Sequence, residues 1–342
     1  MAENREADPA WAARLQRWKN TAWYHWRRSN WLLDPRRFVH RYDAVPIERP
    51  IFFVGNQGGG LTLVARMIRR HPSLVSIVGD HRHWSGPDEM QRVMELRLPR
   101  SLKLARLPYE VEVQHDRLTA PRSWSYATDE LLSAYRGTEA DYDEAEAEQF
   151  RFLVREALYK HGHGPGSRFV DKSQVYTVKL PLLARILEGT DPYFVLITRN
   201  PYAACYRAAQ GKAIDMARYA VKMSLEERIE LCAQHWDNAM RCALEDAPSL
   251  RRFKVMAFER ILTDPASSVR ELCDFLDLSY REDLLPQPHH TIPLGTRFRD
   301  RWYPLNPEVN DAYLARAATE HLKIIERRCG ETAERLGYTS PL

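Results

Sequence analysis

The sequence lacks any apolar run near the length of roughly 20 residues that a membrane-spanning helix needs. It also lacks the pattern of a secretion signal, internal repeats and low-complexity tracts. These absences argue against a transmembrane span, and we expect a globular, cytoplasmic protein.

The five cysteines form no CxxC pair and no spacing typical of a metal site. They are Cys205, Cys232, Cys242, Cys273 and Cys329. Scattered cysteines of this kind are typical of reduced, mostly buried thiols in a cytoplasmic protein. We therefore expect no bound metal.

A strong excess of charge is also missing. The 342 residues include 50 Lys and Arg and 46 Asp and Glu, which gives a formal net charge of +4. This mild basicity suits an anionic ligand but does not require nucleic acid. Charged residues make up 28% of the chain and hydrophobic ones 44%. That composition and length predict one large α/β domain, with or without insertions.

What the sequence does contain is a concentration of glycine in one loop. The segment Gly55 to Gly60 holds four glycines in six residues. Before it, Ile51 to Val54 is a short apolar run, as expected of a buried parallel strand. After it, apolar residues recur at helical spacing from Leu61 to Ile68. A strand, a glycine loop and a helix N-terminus can bind phosphate through backbone N–H groups and the helix dipole.

The loop fits the P-loop pattern Gly-x4-Gly-x-Thr with one change. Leu61 stands where a loop that uses ATP or GTP has lysine, and leucine cannot neutralise the β- and γ-phosphates. The loop is therefore predicted to bind an anion but to be poorly suited to a nucleoside triphosphate. An ordinary glycine-rich turn is the alternative interpretation.

Further strands and helices alternate along the chain. Strands are also predicted over residues 74–78, 168–173, 193–198 and 253–257. Helices are predicted over about 144–160, 178–188, 202 onward, 224–247, 265–276 and 308–336. This alternation is typical of an α/β fold, here a P-loop-like parallel sheet flanked by helices on both faces.

Two regions lie outside the alternation. Residues 1–48 are a basic, aromatic and helical extension, with Trp11, Trp18 and Trp26 on one helical stripe. Such a helix can lie on an anionic membrane, so residues 1–34 are a candidate for peripheral membrane contact. The favoured alternative is that its aromatic side chains pack on the main domain. Within that domain, residues 49–342, a helical insertion at about 87–150 is predicted to cover the site.

Five segments in the same order resemble the sulfotransferases that use 3′-phosphoadenosine 5′-phosphosulfate (PAPS), in particular their bacterial and glycan-modifying branch. The segments are the glycine loop through His71-Pro72, Asp171-Lys172-Ser173 with Tyr176, Arg199-Asn200-Pro201, Phe258-Glu259 through Asp264-Pro265 to Leu278, and Arg301-Trp302. The terminal Leu336-Gly337-Tyr338 is also similar to the family, and the resemblance spans roughly residues 50–338.

The resemblance implies an enzyme that moves a sulfuryl group from PAPS to a hydroxyl or amine. The residues implied in binding PAPS are Asn56, Gln57, Gly58, Gly59, Gly60, Leu61, Thr62, Arg199, Arg207, Arg301 and Trp302. Arginines and aromatic residues of the insertion fit a saccharide or another anionic, ring-bearing acceptor: Arg97, Arg100, Arg122, Trp124 and Tyr126. Sulfuryl transfer resembles phosphoryl transfer, so it needs positioning, charge stabilisation and a base, and no metal.

Two positions depart from the family pattern. The family loop usually has Lys or Arg, aimed at the bridging oxygen, where this chain has Gly58. The 3′-phosphate motif usually has serine where this chain has Arg207, which can still bind phosphate. Another cation must then neutralise the leaving group, and Lys172 is the candidate. A salt bridge between Lys172 and Asp171 is the alternative interpretation.

The general base of the family is a histidine or a glutamate just after the second strand. Here Asp80, His81 and His83 lie in that region. Histidine titrates near neutrality, as a base requires, whereas Asp80 aligns best with the glutamate of the glycan-modifying members. Alternation would place the two histidines on one side of an extended segment and Asp80 on the other. All three stay candidate catalytic residues.

Two other functions remain open from the sequence. A P-loop small-molecule kinase would share the loop, although Leu61 argues against it. A catalytically weak scaffold that binds nucleotide without turnover would explain Gly58 in the loop.

Overall fold

The computed structural model describes residues 42–77, 89–98, 101, 103–105, 126–212, 223–287 and 305–342. The predictions for the N-terminal extension therefore lie largely outside the described residues, and its membrane contact and the domain boundaries stay predictions. Among the described helices, none is both long and apolar enough to cross a membrane. All five cysteines are free and buried, as the sequence predicts.

The described part of the chain contains a five-stranded sheet. Its strands are β1 (Ile51–Val54), β2 (Leu74–Val75), β3 (Arg168–Asp171), β4 (Tyr193–Thr198) and β5 (Phe253–Ala257). All neighbours are parallel, in the order β2-β3-β1-β4-β5. The chain first builds the sheet on one side of β1 and then on the other. The carboxyl ends of β1 and β4 therefore flank a switch point, where open α/β sheets bind their ligands.

The helices follow the strands in sequence. They are α1 (Leu61–Ile68), α2 (Met90–Arg97), α3 (Leu132–Tyr135), α4 (Glu144–His161), α5 (Leu180–Ile186), α6 (Pro201–Arg207), α7 (Leu225–Asp246), α8 (Phe258–Thr263), α9 (Pro265–Phe275), α10 (Asp311–Leu314) and α11 (Thr319–Arg335). A 3-10 helix, Gln174–Val178, lies between β3 and α5.

Both faces of the sheet are buried, which explains why its strands read as continuous apolar runs. In β1, Ile51 and Phe53 pack on the face covered by α1, α8 and α9. Phe52 and Val54 pack on the opposite face, against α4, α5, α7 and α11. Each fully buried side chain of this kind contributes about 1.5–3 kcal/mol. The predicted α/β fold with helices on both faces is thus confirmed.

Local capping explains where several helices begin. Asp143 accepts a hydrogen bond from the Glu146 N–H (2.9 Å) at the start of α4. Ser224 and Glu227 form a reciprocal capping box at the start of α7. Each such cap satisfies N–H groups that a helix leaves unpaired in its first turn. Outside the C-terminal region, the helices that were expected from the sequence begin and end within a few residues of the expected positions.

The C-terminal region differs from the prediction of one helix over 308–336. The structure has a 3-10 turn at Pro307–Val309, then α10, then a break before α11. Tyr206 donates its hydroxyl to the Arg316 carbonyl (2.9 Å) within this break. Ala318 is extended, with a ψ of 151°, so the helix is interrupted there, and helical periodicity alone does not reveal this break.

Two strands are shorter than predicted. The second strand was predicted over 74–78, and the structure gives β2 only Leu74–Val75, with residue 78 outside the described part. The strand predicted over 168–173 ends at Asp171. Lys172 and Ser173 instead lie between β3 and the 3-10 helix Gln174–Val178.

Candidate active site

The glycine loop lies between β1 and α1, at the carboxyl edge of the sheet. Thr177 holds its first residue, because the Gly55 N–H donates to the Thr177 hydroxyl oxygen (2.8 Å). Gly60 has a φ of +89°, and a Cβ there would come within 2.2 Å of the Phe258 ring. Only glycine fits that position. The loop thus leads directly into α1. The N-terminus of α1, with the N–H groups of its first turn, faces the carboxyl edge of the sheet.

A cavity of about 420 Å³ opens over this loop, within the range of about 300–1,000 Å³ typical of ligand sites. Its lining includes nine residues predicted from the sequence: Asn56, Gln57, Gly58, Gly60, Leu61, Thr62, Lys172, Arg199 and Arg207. Gly59 is buried beneath them, and its N–H donates to the Asn56 carbonyl (3.1 Å). The structure therefore brings the predicted loop and three predicted cations together around one space.

Arg199 follows β4 and is held rigidly at the wall of this cavity. Its Nε and Nη2 donate to the Asn310 side-chain oxygen (2.9 and 2.7 Å), and its Nη1 donates to the Gly58 carbonyl (2.9 Å). Trp236 of α7 donates its indole N–H to the Arg199 carbonyl (3.0 Å). Burial, then the nearby Arg207 guanidinium, lowers the pKa of Arg199 to about 10, against the opposing effect of Glu259. The side chain is still a cation at neutral pH.

Glu259 connects the segments that surround Arg199. One of its oxygens accepts the Asn200 N–H (2.9 Å) and the Asn310 side-chain amide, and the other accepts the Tyr338 hydroxyl (3.2 Å). Thr198 hydrogen-bonds the same tyrosine (2.8 Å). Glu259 therefore positions the carboxyl end of β4, and Tyr338 brings the C-terminus to that point.

Asp171 and Ser173 hold the start of α2. The Met90 N–H donates to Asp171 (2.8 Å), and the Gln91 N–H donates to the Ser173 hydroxyl oxygen (2.9 Å). Asp171 also accepts the Ser173 N–H (2.9 Å). Burial raises the pKa of Asp171 to about 6, although these hydrogen bonds oppose the shift. The segment that follows β3 is thus held to the first turn of α2 by hydrogen bonds.

This arrangement places Glu89, the residue before α2, next to Lys172. The Lys172 Nζ lies 2.8 Å from a Glu89 carboxylate oxygen, and both side chains are largely buried, 7% and 13% exposed. Gln91 and Arg92 donate to the other Glu89 oxygen (2.7 and 3.2 Å). The interpretation of Lys172 as the partner of Asp171 is therefore wrong, because Asp171 bonds the backbone of α2 and Lys172 pairs with Glu89.

Arg207 ends α6, which begins at Asn200 and Pro201. The Asn200 side chain caps this helix by accepting the N–H groups of Tyr202 and Ala203 (3.0 and 3.3 Å). The helix runs away from β4, and its last residue turns its guanidinium back over the loop at Gly58. Two guanidinium groups, from Arg199 and Arg207, therefore face the same loop residue.

Several predicted residues lie outside the described part of the chain. They are Asp80, His81, His83, Arg301 and Trp302, together with Arg100, Arg122 and Trp124 of the insertion. Of the other two insertion residues, Tyr126 is buried and donates its hydroxyl to the Gln174 carbonyl (2.7 Å). Arg97 lies 4.0 Å from Glu156. Neither of these two lines the cavity.

Sequence reasoning missed two residues of the site, Glu89 and Asn310. Glu89 lies within a segment whose helical pattern is weak, and Asn310 lies within the region predicted as one long helix. No motif contains either residue. Their contacts with Lys172 and Arg199 cross 83 and 111 positions of the chain, so only the fold reveals them.

Among the described residues that line it, the cavity combines groups that attract an anion with a single carboxylate. The loop N–H groups, the α1 N-terminus and two guanidinium groups attract an anion. Glu89 is the carboxylate among the lining residues, and a carboxylate beside an anion site suits proton removal better than anion binding. The arrangement can therefore hold a doubly anionic ligand and accept a proton next to it.

Comparisons with known proteins point in the same direction. A family model described as the sulfotransferase family matches residues 50–282. Among solved structures, the sulfotransferase domain from the Synechococcus PCC 7002 olefin synthase has 18% identity and a TM-score of 0.51, over 87% of this chain and 98% of that one. The sulfotransferase domain from the curacin biosynthetic pathway has 16% identity and a TM-score of 0.52, over 86% and 99%.

Sulfotransferase STF9 from Mycobacterium avium is also similar, with 12% identity and a TM-score of 0.51, over 91% of this chain and 81% of that one. At these identities the solved structures establish a shared fold, whereas the family model establishes the relationship in sequence. A search of the curated proteins finds no match.

Proposed function

This chain belongs to the sulfotransferase family, and on that premise we propose that its sulfuryl donor is PAPS, bound in the cavity over the glycine loop. The observation that carries this assignment is the meeting of the α1 N-terminus, Arg199 and Arg207 in one cavity. PAPS carries negative charge at both its 5′-phosphosulfate and its 3′-phosphate. A site that combines a helix N-terminus with two guanidinium groups suits such a ligand.

The residues of the cavity fit PAPS better than a nucleoside triphosphate. Leu61, the first residue of α1, is 6% exposed and packs in the apolar cluster under the loop. It therefore contributes no charge to a β- or γ-phosphate, which is what a P-loop kinase would need at this position. This observation disfavours the kinase alternative.

When bound, PAPS would supply an activated sulfuryl group on a phosphate leaving group. The loop N–H groups and the α1 N-terminus would hold the 5′ end, and Arg199, fixed by Asn310, would hold the 3′-phosphate. Transfer of this kind is in-line, and its catalysis consists of positioning and charge stabilisation. The rigid hydrogen bonds around Arg199 serve that positioning.

We assign the general base to Glu89. Its carboxylate lines the cavity, and Lys172 together with Gln91 and Arg92 fixes its orientation. As the new S–O or S–N bond forms and the bond from sulfur to the 5′-phosphate oxygen breaks, a Glu89 oxygen would accept the proton of the acceptor hydroxyl or amine. Lys172 then acts as the partner that orients this carboxylate. Asp80, His81 and His83 stay as sequence-based alternatives.

The acceptor is proposed to be a hydroxyl or amine on a small molecule or glycan. A saccharide is the first class to test, because the insertion that follows β2 is rich in arginine and aromatic residues. The direct experiment supplies radiolabelled PAPS with a panel of saccharides, phenols, alcohols and amines, and measures labelled product and released 3′-phosphoadenosine 5′-phosphate (PAP). Label transfer to at least one acceptor is expected, and a parallel reaction with Mg-ATP should transfer no phosphate. Phosphate transfer without sulfuryl transfer would overturn the assignment.

A further inference from the structure

The family loop has a cation at the position of Gly58, and in this chain the Arg207 side chain lies beside that position. Gly58 has a φ of +81°, and a Cβ built on it would lie 3.3 Å from Nη1 of Arg207. That separation is tighter than most real Cβ contacts, so a side chain at position 58 and the Arg207 guanidinium would compete for the same space. Gly58 thus leaves room for a guanidinium that arrives from α6.

The partners of the three cations in the cavity differ. Lys172 is paired with the Glu89 carboxylate, and Arg199 is bonded to Asn310 and to the Gly58 carbonyl. In the described ranges no carboxylate pairs with Arg207, which is half-buried at the cavity wall. A guanidinium that lies beside a glycine loop and that no described carboxylate neutralises is expected to bind an anion.

We propose that Arg207 neutralises the leaving group held by the glycine loop, in place of the loop cation that Gly58 lacks. The inference rests on the proposed function, because it presumes a donor whose 5′ phosphosulfate lies on the loop. It reassigns Arg207 from the 3′-phosphate, where its place in the sequence motif would put it, to the 5′ end.

Two features favour Arg207 over Lys172 for this role. The Lys172 ammonium lies 2.8 Å from Glu89, so its charge is already compensated within the protein. Arg207 lies directly over Gly58, whereas Lys172 follows β3. A guanidinium also presents several N–H donors in one plane and can bond two oxygens of a phosphate at once. The charge lost from the loop sequence is therefore restored by a residue 149 positions later.

The test separates the two ends of the donor with three ligands. PAP has both phosphates, adenosine 5′-phosphate has only the loop-side phosphate, and adenosine 3′-phosphate has only the other. Calorimetry would measure their affinities for the wild type, Arg207→Ala, Arg207→Lys and Arg327→Ala. Arg327 is 72% exposed on α11, so its substitution removes the same charge outside the cavity. Thermal unfolding would show that each variant is folded.

For Arg207→Ala we expect a loss of affinity by the same factor, about tenfold or more, for PAP and adenosine 5′-phosphate. Affinity for adenosine 3′-phosphate should stay within twofold. Turnover with PAPS should fall on the order of 100-fold, the loss typical when one charge-stabilising donor is removed. Arg207→Lys should recover part of this turnover because it keeps the charge. Arg327→Ala should match the wild type.

Other outcomes overturn the inference. If Arg207→Ala loses affinity only for PAP and adenosine 3′-phosphate, Arg207 binds the 3′-phosphate. If Arg207→Ala keeps full turnover with PAPS, Arg207 takes no part in the reaction. If Arg207→Ala does not fold, the same comparison with Arg207→Lys and Arg207→Gln decides, since glutamine removes the charge and keeps a hydrogen-bond donor. If the wild type binds none of the three ligands, the proposed donor site itself is wrong.

Discussion

Lys172 and Glu89 form an ion pair at the wall of the cavity, with 2.8 Å between the Lys172 Nζ and a Glu89 oxygen. The two residues are 83 positions apart and meet because Asp171 and Ser173 hold the first turn of α2. Asp171, Lys172 and Ser173 together hold the Glu89 carboxylate at the wall of the cavity.

Glu89→Gln should lower kcat by about 10²- to 10⁴-fold, the usual contribution of a general base. PAP affinity should not weaken, because the change removes a negative charge from an anion site. Steady-state kinetics and calorimetry check the two parts. The matched control is Glu230→Gln, which alters a glutamate paired with Arg327 on the surface of α7. Full turnover in Glu89→Gln would move the base to Asp80, His81 or His83.

Lys172→Ala should also lower kcat, because Glu89 loses the partner that orients it. If Lys172 acts through Glu89, the double variant should be no slower than Glu89→Gln alone, since residues that act as a unit are not additive. Full turnover in Lys172→Ala, or fully additive losses in the double variant, would contradict this coupling.

Arg199→Ala should weaken PAP binding by about 10- to 100-fold, since a hydrogen bond to a charged group is worth about 1.5–3 kcal/mol. Arg199→Lys should fall between this variant and the wild type, because lysine keeps the charge but loses the planar set of donors. Calorimetry with PAP measures the effect. Unchanged affinity in Arg199→Ala would mean that the 3′-phosphate lies elsewhere.

Gly58→Ala should lower turnover and weaken PAP binding, each by less than Arg207→Ala does, because the guanidinium is displaced and not removed. The new Cβ would press on the Arg207 guanidinium, and a φ of +81° is unfavourable for alanine by about 1 kcal/mol. Denaturant unfolding gives the cost in stability, and PAPS kinetics give the loss of kcat. Gly164→Ala is the control for backbone strain, since Gly164 has a φ of +116° and no atom within 4 Å of its added Cβ. Equal turnover in the two variants would argue against any link between Gly58 and Arg207.

His235 should make the protein sensitive to acid. It is buried in α7 against Tyr126, and neither ring nitrogen has a hydrogen-bond partner among the described residues. Burial lowers its pKa to about 3 from the ordinary 6.5. Below pH 6.5 the unfolded chain therefore binds a proton that the folded chain does not bind. The free energy of unfolding falls as the pH drops from 6.5 towards 3.

The expected loss from His235 between pH 8 and pH 5 is about 2 kcal/mol, at about 1.4 kcal/mol per pH unit below the unfolded pKa. Urea unfolding of the wild type and of His235→Leu at both pH values measures it. The variant should lose about 2 kcal/mol less than the wild type on acidification. An identical loss in both proteins would show that His235 is not responsible.

The sequence was sufficient for the parts of the site that local patterns encode. Ile51 to Val54, the glycines and Leu61 to Ile68 specify strand, loop and helix by composition and period alone. Arg199 is assigned by the resemblance of Arg199-Asn200-Pro201, at the end of the buried strand 193–198, to the 3′-phosphate motif of the family. The alternation of strands and helices along the chain, with helices on both faces of the sheet, likewise follows from alternating apolar segments of strand and helix type.

The remaining parts depend on contacts between distant segments. Asn310 contacts Arg199 across 111 positions, and Glu259, from a third segment, accepts the Asn310 side-chain amide. Arg207 and Gly58 each depart from the family pattern when the sequence is considered alone. In the structure the two residues lie together, since a Cβ at position 58 would lie 3.3 Å from Nη1 of Arg207, and neither motif alone reveals this proximity.

The most direct test of the account is titration calorimetry of the wild-type protein with PAP and, separately, with Mg-ATP. The cavity over the glycine loop, with Arg199 and Arg207 at its wall and Leu61 in place of lysine, predicts saturable PAP binding at least 100-fold tighter than Mg-ATP binding, about 2.7 kcal/mol. Equal or tighter binding of Mg-ATP would contradict the assignment of the cavity to PAPS.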